Sequence, residues 1–549
     1  MKAIIWTMLL AVAHLSAVFA NTIYCPSCSQ DDFENAYYHQ SQPGDTIVLP
    51  AGAATWGNSS RFNAGIIYII TNVTVIGQGD STVITLDDSG AIYSNGVIAC
   101  WAAATFSNFK IVGSNVNPVT AFSIKSYNNP TTGINFTGGF RLNRITYVGG
   151  TAGAQFCSIG AWVNYGVIDH CNLTGNSGQA ELIFGYGETD AWQISNTLGG
   201  ANNIFIENNS FGSPGGYVCD ANANARFVVR YNTMNGRFTK VDGHGFYSNT
   251  PPHAFRNMEV YGNHWTETSL SWTAIEIRGS TAMVFNNTAD VTDPNAAYFY
   301  LTDYGYEAPA ANFGVGGTST AGSPTTITTT IPHGYSTGWP VWVQAPYGDG
   351  TNNIYGFYNI TVTGPNTFTI PFASTVSGTI DYATRLQTPY DYPIREQVGV
   401  GTFPTTAASA PAYVWNNTKS GGSSPWPRSF HIPSAGAIAL YQAQTGNSTA
   451  TFAEADVIKS NRDFFADSGF DTNTGVSVGT TAQMNAMTPT VVGYGFWVTD
   501  QGNWNASQPG TSGLLYAWTG SAWVLKYTPY LYPHPATRPP APTNLRMTK

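Results

Sequence analysis

The chain alternates short apolar runs with polar turns, and an asparagine returns near the end of many runs. The runs are rich in Val, Ile, Phe and Tyr, and none carries a long apolar stripe at helical spacing. Such short strands, repeating at a regular interval, predict a solenoid in which each unit is one rung of parallel strands. The asparagines recur at intervals of 23 to 37 residues, at Asn72, Asn108, Asn143, Asn172, Asn209, Asn232, Asn263 and Asn287.

These asparagines are interpreted as structural residues. Asparagine tolerates left-handed backbone and bonds to its own backbone, which suits a sharp turn between strands. Side chains in equivalent positions of stacked rungs can also bond to one another along the axis. We therefore predict an asparagine ladder at the rung ends, and the pair Asn416–Asn417 predicts that it continues late in the chain.

The same pattern divides the chain into segments. The basic Lys2, an apolar run to Phe19 and small residues before Asn21 predict a cleaved signal peptide over 1–20. The remaining segments are rungs with an N-terminal cap, an inserted all-β module rich in Thr, further rungs, a capping and β-rich unit, and a Pro-rich tail. Their predicted ranges are 21–312, 313–385, 386–450, 451–535 and 536–549.

Two segments are predicted to be helical. The stretch DDFENAYYHQ, residues 31–40, is amphipathic and is placed to cover the open end of the first rung. Such a cap is needed because an exposed terminal rung offers free strand edges to other chains. Residues 452–470 carry the strongest helical pattern of the chain and are predicted to lie at the surface or in a cap.

Composition narrows the range of partners. Charged residues make up 10% of the chain, hydrophobic residues 42%, and the formal net charge is −9. Disorder and nucleic-acid binding are therefore not expected. A surface rich in Asn, Ser, Thr and Tyr favours a polysaccharide partner. After removal of the signal peptide no stretch is long enough to span a membrane, so the chain is expected to be secreted, extracellular or at the cell surface.

Six cysteines enter an oxidising compartment under this interpretation. Cys25 and Cys28 are predicted to form a structural disulfide near the cap, in preference to a redox or zinc pair. The other four are expected to be small core residues along the rungs. They are Cys100, Cys157, Cys171 and Cys219.

Several motifs carry a family resemblance. PGDTIVLPAG, followed by asparagine-ended rungs, resembles the right-handed parallel β-helix superfamily typified by pectate lyases. IENNSF with RNMEVYGNHW, YPIREQVGVG with YVWNN, and GYGFWVTDQG with YTPYLYPHP are similar to exported bacterial right-handed β-helix repeat proteins of unassigned activity. The resemblance covers roughly 35–300 and 388–535. It implies an all-β, right-handed parallel β-helix and extracellular polysaccharide processing, although tailspikes and adhesins share the scaffold.

Charged residues are scarce, so their concentration between 220 and 278 is informative. Neighbouring rungs lie ~4.8 Å apart, and residues in equivalent positions touch. We therefore predict one functional patch, with buried ion pairs between rungs as the structural alternative. The predicted catalytic residues are Asp220, Arg230, His244, Arg256 and Glu276, and the predicted substrate-binding residues of this stretch are Arg226, Glu259 and Arg278.

The chemistry predicted first is β-elimination on a uronic-acid polymer. Arginines would neutralise the substrate carboxylate and stabilise the enolate. His244, whose type titrates near neutrality, would remove the proton. Asp220 or Glu276 would orient this base or bind Ca²⁺, which is the one cofactor considered, and the metal ligands are not assigned.

Two alternatives remain open. Hydrolysis needs two carboxylates at a defined separation. A second acidic group, Glu181, Glu188 and Asp190, lies beside Tyr186 and Trp192, which are predicted to stack on a sugar. The other alternative is a non-catalytic adhesin, glycan-binding or filament protein whose rungs are only a scaffold.

Overall fold

The structure is a computed structural model, and parts of the chain lie outside the residues that it describes. Most of the predicted signal peptide and of the Pro-rich tail lie outside them. No helix within the described ranges has the length and apolar character needed to cross a membrane. The described residues are 20–57, 66–87, 96–113, 119–124, 139–150, 155–160, 165–174, 180–186, 196–212, 217–222, 225–235, 240–245, 254–266, 274–290, 299–301, 315–345, 352–385, 397–402, 408–419, 428–430, 438, 442, 447–451, 453, 456, 458–468 and 474–537.

The predicted all-β parallel β-helix is confirmed. One wall of the solenoid, called sheet 1 below, contains ten strands that pair in parallel from rung to rung. Its strands are Ile67–Ile69, Ile98–Cys100, Phe122–Ile124, Cys157–Gly160, Ala180–Tyr186, Tyr217–Ala221, Lys240–Gly243, Ile275–Ile277, Phe299–Leu301 and Arg428–Phe430.

The other walls belong to a 20-stranded parallel sheet that bends into two faces. The face that follows sheet 1 in each rung is called sheet 2, and the next is called sheet 3. Val73–Leu86 and Ala104–Val112 run through both faces. The remaining strands of sheet 2 are Thr22–Tyr24, Thr46–Val48, Phe140–Asn143, Gly166–Asp169, Ile204–Glu207, Arg226–Arg230, Asn257–Tyr261, Thr281–Phe285, Ala412–Trp415 and Phe464–Ala466. Those of sheet 3 are Gly52–Trp56, Thr146–Val148, Asn172–Thr174, Ser210–Gly212, Thr233–Met234, His264–Trp265, Thr288–Ala289 and Thr418–Lys419.

A single left-handed residue turns the chain from sheet 2 into sheet 3. Asn208, Tyr231 and Asn286 occupy this position with φ between 54° and 57°, and Gly262 occupies it in the rung between the last two. The residue that follows points into the corner. A left-handed residue followed by a buried one is therefore the repeated unit at this corner, and the buried residue is polar in the later rungs.

The predicted asparagine ladder is present in the second half of the solenoid. The amide of each member donates to the carbonyl oxygen of the next, at 2.8–3.0 Å. Each amide also donates to a backbone carbonyl, and each side-chain oxygen accepts a backbone N–H from the preceding rung. The buried side chains thus satisfy one another and fix the register. The members are Asn209, Asn232, Asn263, Asn287 and Asn417.

The earlier asparagines do not belong to this ladder, which corrects the prediction for them. Asn108 is itself the left-handed residue, Asn143 precedes the left-handed Arg144, and Asn172 begins the next strand. The ladder position in these rungs is filled by an apolar or sulfur side chain, such as Cys171, whose N–H donates to Asn209. A shift of one residue along the chain moves an asparagine out of the buried corner position, and the repeat interval read from the sequence is too irregular to show such a shift.

The N-terminal cap forms as predicted. An α-helix, Gln30–Asn35, continues into a π-helical turn, Ala36–Gln40. Phe33 stacks on Trp56 with ring centroids 5.1 Å apart. The hydroxyl of Tyr37 accepts two backbone N–H groups at the edge of the solenoid, at 2.6 and 2.9 Å. The helix therefore covers both the apolar interior and the free backbone of the first rungs.

The predicted disulfide is absent, because Cys25 and Cys28 are both buried free thiols. Cys25 belongs to the solenoid core, and burial raises its pKa to about 11. Cys28 instead lies against Gly52. The four other cysteines are fully or nearly fully buried in the core, as predicted.

A separate antiparallel sheet interrupts one rung. It lies between Phe299–Leu301 in sheet 1 and Ala412–Trp415 in sheet 2, and it has its own apolar core. A short hairpin, Val400–Thr402 with Ala408–Ser409, precedes the return to the solenoid. The seven strands of the inserted sheet are Val315–Thr320, Thr325–Thr329, Pro340–Ala345, Ile354–Asn359, Thr361–Gly364, Thr367–Ile370 and Gly378–Arg385.

The helix predicted over 452–470 is wrong in its second half, where Phe464–Ala466 is a strand of sheet 2. Phe464 and Ala466 enter the solenoid core, whereas Phe465 packs outward. This alternation satisfies both sides of the sheet, so tertiary packing outweighs the local helical preference.

The last segment, residues 474–537, is called the C-terminal unit and packs on the outer face of sheet 2. Aromatic residues from both sides form one cluster, including Phe205, Tyr261, Trp415, Trp497 and Trp504. The unit also contains a short helix, Thr481–Asn485, and a 3-10 turn, Pro535–Thr537. Its sheet consists of Val476–Gly479, Gly495–Val498, Leu514–Trp518 and Trp523–Tyr527.

Removing one ladder member should be costly. We expect Asn263→Ala to lower the free energy of unfolding by about 3 kcal/mol, since it leaves several buried polar groups without partners. Thermal unfolding followed by circular dichroism measures the loss. Asn359→Ala, at an exposed position of the inserted sheet, is the control, and equal melting temperatures for the two variants would contradict the ladder's role.

Candidate functional site

The predicted cluster of charges is divided between two walls of the solenoid. Arg226, Arg230 and Glu259 lie on strands of sheet 2, which the C-terminal unit covers. Asp220 and Glu276 lie on strands of sheet 1, and His244 and Arg278 follow directly after such strands, whereas Arg256 directly precedes the sheet 2 strand Asn257–Tyr261. Matching rung positions place residues in the same layer, but the intervening corner separates the walls. The prediction of a single patch is therefore corrected to two.

Arg230 holds the C-terminal unit in place. Its guanidinium is fully buried and donates to Glu207 at 2.7 Å and to the hydroxyl of Tyr261 at 2.9 Å. It also donates to the backbone carbonyl oxygens of Tyr530 and Leu531, both at 2.8 Å. These partners occupy its donors, so the predicted contact with a substrate carboxylate does not fit this residue.

Glu259 is a second contact between sheet 2 and the C-terminal unit. It is fully buried and accepts the N–H of Gly199 at 2.7 Å and the hydroxyl of Tyr527. Burial raises its pKa to about 7, against the effect of these two donors. Its position contradicts the predicted role in substrate binding, because the C-terminal unit occupies the space outside it.

Arg226 and Arg256 are also poorly placed for a substrate. Arg226 is 8% exposed and pairs in register with Asn257. Arg256 is fully buried, and its backbone joins the solenoid through Ala225 and Ser280. Both predicted roles are corrected for the same reason, namely that the packing around sheet 2 leaves almost no surface at these positions.

The remaining residues form a compact group on the outer face of sheet 1. Asp220, Asp242 and Glu276 occupy one register position on three successive strands. The parallel backbone pairing of these strands continues past their ends, since His244 N–H donates to the carbonyl oxygen of Ala221 and Arg278 N–H to that of Gly243. Side chains two residues apart share a face of a strand. A second row is therefore formed by Asn222, His244 and Arg278, next to the three acids.

Two cations join the acids of this group. Lys240 lies 3.2 Å from an oxygen of Asp242 and 3.0 Å from one of Glu276. Arg278 donates through Nε to Asp242 at 2.9 Å, and it also forms an ion pair with Glu276 at 2.7 Å. The group thus has three acids and two cations, and Asp220 is the acid outside this ion-pair network.

The environments of the acids shift their pKa values in opposite directions. Burial, followed by the charge of Asp242, raises the pKa of Asp220. Burial also acts on Asp242, but Arg278 and Lys240 outweigh it and hold its pKa at about 2. Burial and the charge of Asp242 raise the pKa of Glu276 to about 7. One permanently ionised acid therefore lies beside two acids that retain a proton more readily.

His244 lies beside the acids and is partly exposed. Its Nδ1 is 2.9 Å from the backbone oxygen of Gly245, and its backbone accepts the N–H of Phe255. The predicted base is thus on the same face as Asp220. Asp220, His244, Glu276 and Arg278 are brought together as the sequence predicted.

Three members of the group were not selected from the sequence, namely Lys240, Asp242 and Asn222. The signal for Asp242 was its spacing of two residues from His244, which places both on one face of a strand. Lys240 lies a further two residues upstream and follows the same rule. Asn222 stands in the same relation to Asp220.

The acids of sheet 1 do not fit the Ca²⁺ considered above. Calcium takes six to eight oxygen ligands. Here the ammonium of Lys240 and the guanidinium of Arg278 already contact Asp242 and Glu276. No group of three potential metal ligands is found among the described residues. Glu181 and Tyr186 lie on the sheet 1 strand Ala180–Tyr186, but their side chains, like Glu188, Asp190 and Trp192, lie outside the described part of the structure.

The solved structures to which the chain is similar are distant from it. No protein-family model matches the chain, and no curated protein matches it. A pectin methyl esterase from the rice weevil is 11% identical, with a TM-score of 0.28, over 46% of this chain and 76% of that one. A mutant tailspike protein of E. coli bacteriophage HK620, in complex with a pentasaccharide, is 12% identical, with a TM-score of 0.19, over 67% and 81%.

These likenesses are too distant to carry an argument about activity. The chain's own parallel sheets and rung register define it as a parallel β-helix protein. Its function must be argued from the group of charged residues on sheet 1.

Breaking the Arg230 contact should release the C-terminal unit. We expect Arg230→Ala to lower the free energy of unfolding by about 3–5 kcal/mol, because the Glu207 charge stays buried without its cation. Hydrogen exchange should rise first in residues 514–534. Asp381→Asn, at an exposed position of the inserted sheet, is the control, because it does not touch the C-terminal unit. Unchanged exchange in the unit would contradict the anchoring role.

Glu259 should make stability depend on pH. Its pKa is about 7 in the folded protein and 4.5 as its ordinary value, so folding retains a proton between these limits. Stability from this group is therefore complete below pH 4.5 and is lost as the pH rises through about 7. Glu259→Gln should flatten the fall in melting temperature from pH 5 to 8, whereas Asp381→Asn on the inserted sheet should not. An identical profile for all three proteins would refute this assignment.

Proposed function

We propose that the chain is a carbohydrate-active enzyme and that it hydrolyses glycosidic bonds at the acids of sheet 1. The observation that supports this most is a pair of neighbouring carboxylates with opposite pKa shifts. Asp220 is partly exposed and retains its proton more readily, whereas Asp242 is ionised. Glycoside hydrolysis needs such a pair, one acid to protonate the leaving oxygen and one carboxylate to act on the sugar carbon.

Each residue has a role in this scheme. Asp220 donates a proton to the departing glycosidic oxygen. Asp242, held ionised by Arg278 and Lys240, stabilises the positive charge that develops on the sugar ring. A water oriented by His244, which lies in the adjacent row, then bonds to the sugar carbon and gives its proton to Asp220, which restores the acid. Neighbouring rungs are ~4.8 Å apart, close to the ~5–5.5 Å separation of carboxyl groups in retaining enzymes.

β-Elimination on an acidic glycan is the second candidate. It is favoured by the position of His244, a base candidate, in the same row as Arg278. It is weakened by the loss of Arg226, Arg230 and Arg256 from the surface. Arg278, the remaining predicted arginine, already pairs with Asp242 and Glu276. The hydrolytic scheme needs no further cation and is therefore preferred.

Export belongs to the same proposal. A polysaccharide too large to enter a cell must be met outside it. Lys2 and the apolar run that follows have the character of a secretory signal. The chain would then act as a secreted or surface-exposed enzyme on extracellular glycans.

Replacing the acids should separate hydrolysis from its alternatives. We expect Asp220→Asn to lower the rate of reducing-end release by about 10²–10⁴-fold, because a positioned acid contributes that much. Its melting temperature should stay close to that of the wild type, since Asp220 forms no ion pair with the described residues. Asp381→Asn on the inserted sheet is the control.

The reaction product distinguishes a glycoside hydrolase from a polysaccharide lyase. Hydrolysis gives saturated sugars, whereas elimination gives an unsaturated sugar that absorbs near ~235 nm. If the wild-type products absorb at that wavelength and His244→Ala gives no such products, the reaction is elimination and the proposal of hydrolysis is wrong. Absence of any product from a panel of neutral and uronic-acid polysaccharides would favour the non-catalytic alternative.

A further inference from the structure

Asn222 is a buried polar residue that the proposed reaction does not use. It follows the sheet 1 strand Tyr217–Ala221 and lies two residues beyond Asp220, on the same face. It forms a bridge with Ala254 at the corner that leads into sheet 2. The next residue along its row is His244. Asn222 therefore borders the acid and base candidates directly.

Two side-chain oxygen atoms at this edge of the group accept no hydrogen bond from the described part of the chain. Asn222 is 7% exposed, and no donor among the described residues reaches its Oδ1. The Oδ1 of Asp220 is buried in the same way. Buried acceptors without partners are rare in folded proteins because each costs about 1–3 kcal/mol. Two such acceptors side by side, next to a proposed acid, point to a ligand that supplies donors.

The chemistry of these acceptors defines the ligand. Hydroxyl groups donate to amide and carboxylate oxygens, whereas a uronate carboxylate offers only acceptors. A uronate would also meet three acids balanced by two cations. A two-residue step along a strand is about 6.6 Å, so the spacing of the two residues matches the span of one sugar or of two linked sugars. A neutral sugar supplies hydroxyl donors and adds no negative charge, so it fits both the acceptors and the charge of the group.

We infer that Asn222 and Asp220 together bind the hydroxyl groups of a neutral glycan, and that Asn222 is a specificity-determining residue. The inference rests on the proposed function for the location of the site, and it adds the class of substrate. It replaces the acidic glycan expected from the sequence by an uncharged one. Asn222 acts on binding through its side-chain oxygen, not on the proton transfer.

The test compares binding by the full-length wild type and two variants. The probes are hexasaccharides of glucose, mannose and galactose, together with hexasaccharides of galacturonate and mannuronate. Binding is measured by calorimetry at low temperature, where turnover is slow. We expect the wild type to bind a neutral probe, and Asn222→Leu to bind it about tenfold more weakly, the worth of one good hydrogen bond.

Asn222→Asp retains an acceptor and should bind the neutral probe within about threefold of the wild type. This rescue separates hydrogen bonding from a structural role, and melting temperatures establish that both variants fold. If Asn222→Leu does not fold, Asn222→Ser takes its place. Asn359→Leu, at an exposed asparagine of the inserted sheet, is the matched control.

The outcomes distinguish this inference from the proposed function. Neutral glycan binding that needs Asn222, without any product, upholds the inference and overturns hydrolysis. Hydrolysis of a neutral glycan with an unchanged KM in Asn222→Leu upholds the proposed hydrolysis and overturns the inference about Asn222. Binding of the uronate probes alone, or of no probe, overturns the inference.

Discussion

The buried asparagine ladder is the interaction on which the rest of this structure depends. Each side-chain amide from Asn209 to Asn287 bonds to the asparagine of the next rung and to the backbone of the preceding rung. A shift of one residue would leave these groups unpaired in the interior, where that is costly. The ladder therefore fixes the register of sheets 2 and 3, and through the connecting corner it aligns sheet 1. Acids on three successive strands can then occupy one row.

The C-terminal unit determines which charged residues have a structural role and which face the space outside the solenoid. On sheet 2, the guanidinium of Arg230 and the carboxylate of Glu259 are consumed by contacts with the unit. The C-terminal unit occupies the space outside them, so they join two parts of the chain and do not face a ligand. Sheet 1 carries no such cover from the described part of the unit, and there Asp220 keeps some exposure. The wall left open is the one that carries the proposed chemistry.

Features that depend on residues close together in the sequence were predicted correctly, and features that depend on distant residues were not. The solenoid, the N-terminal cap and the core cysteines depend on alternation and turn residues within a few positions, and they were predicted correctly. Phe464 was placed in a helix because its neighbours favour one, whereas pairing with Ala412 makes it a strand. Cys171 takes a ladder position without being an asparagine. Lys240 and Asp242 became part of the site only when the strand register was known.

The sequence by itself determined that the chain stacks parallel rungs and that its few charges lie in neighbouring rungs. These are local properties, set by side-chain alternation and by left-handed turns. Only the tertiary structure decided which of those charges face outward. Arg230 and Arg278 both close an apolar strand, but the first bonds to a carbonyl 300 residues away and the second to acids on its own wall. Contacts over such distances leave no mark in the local pattern, and they determine where a ligand can bind.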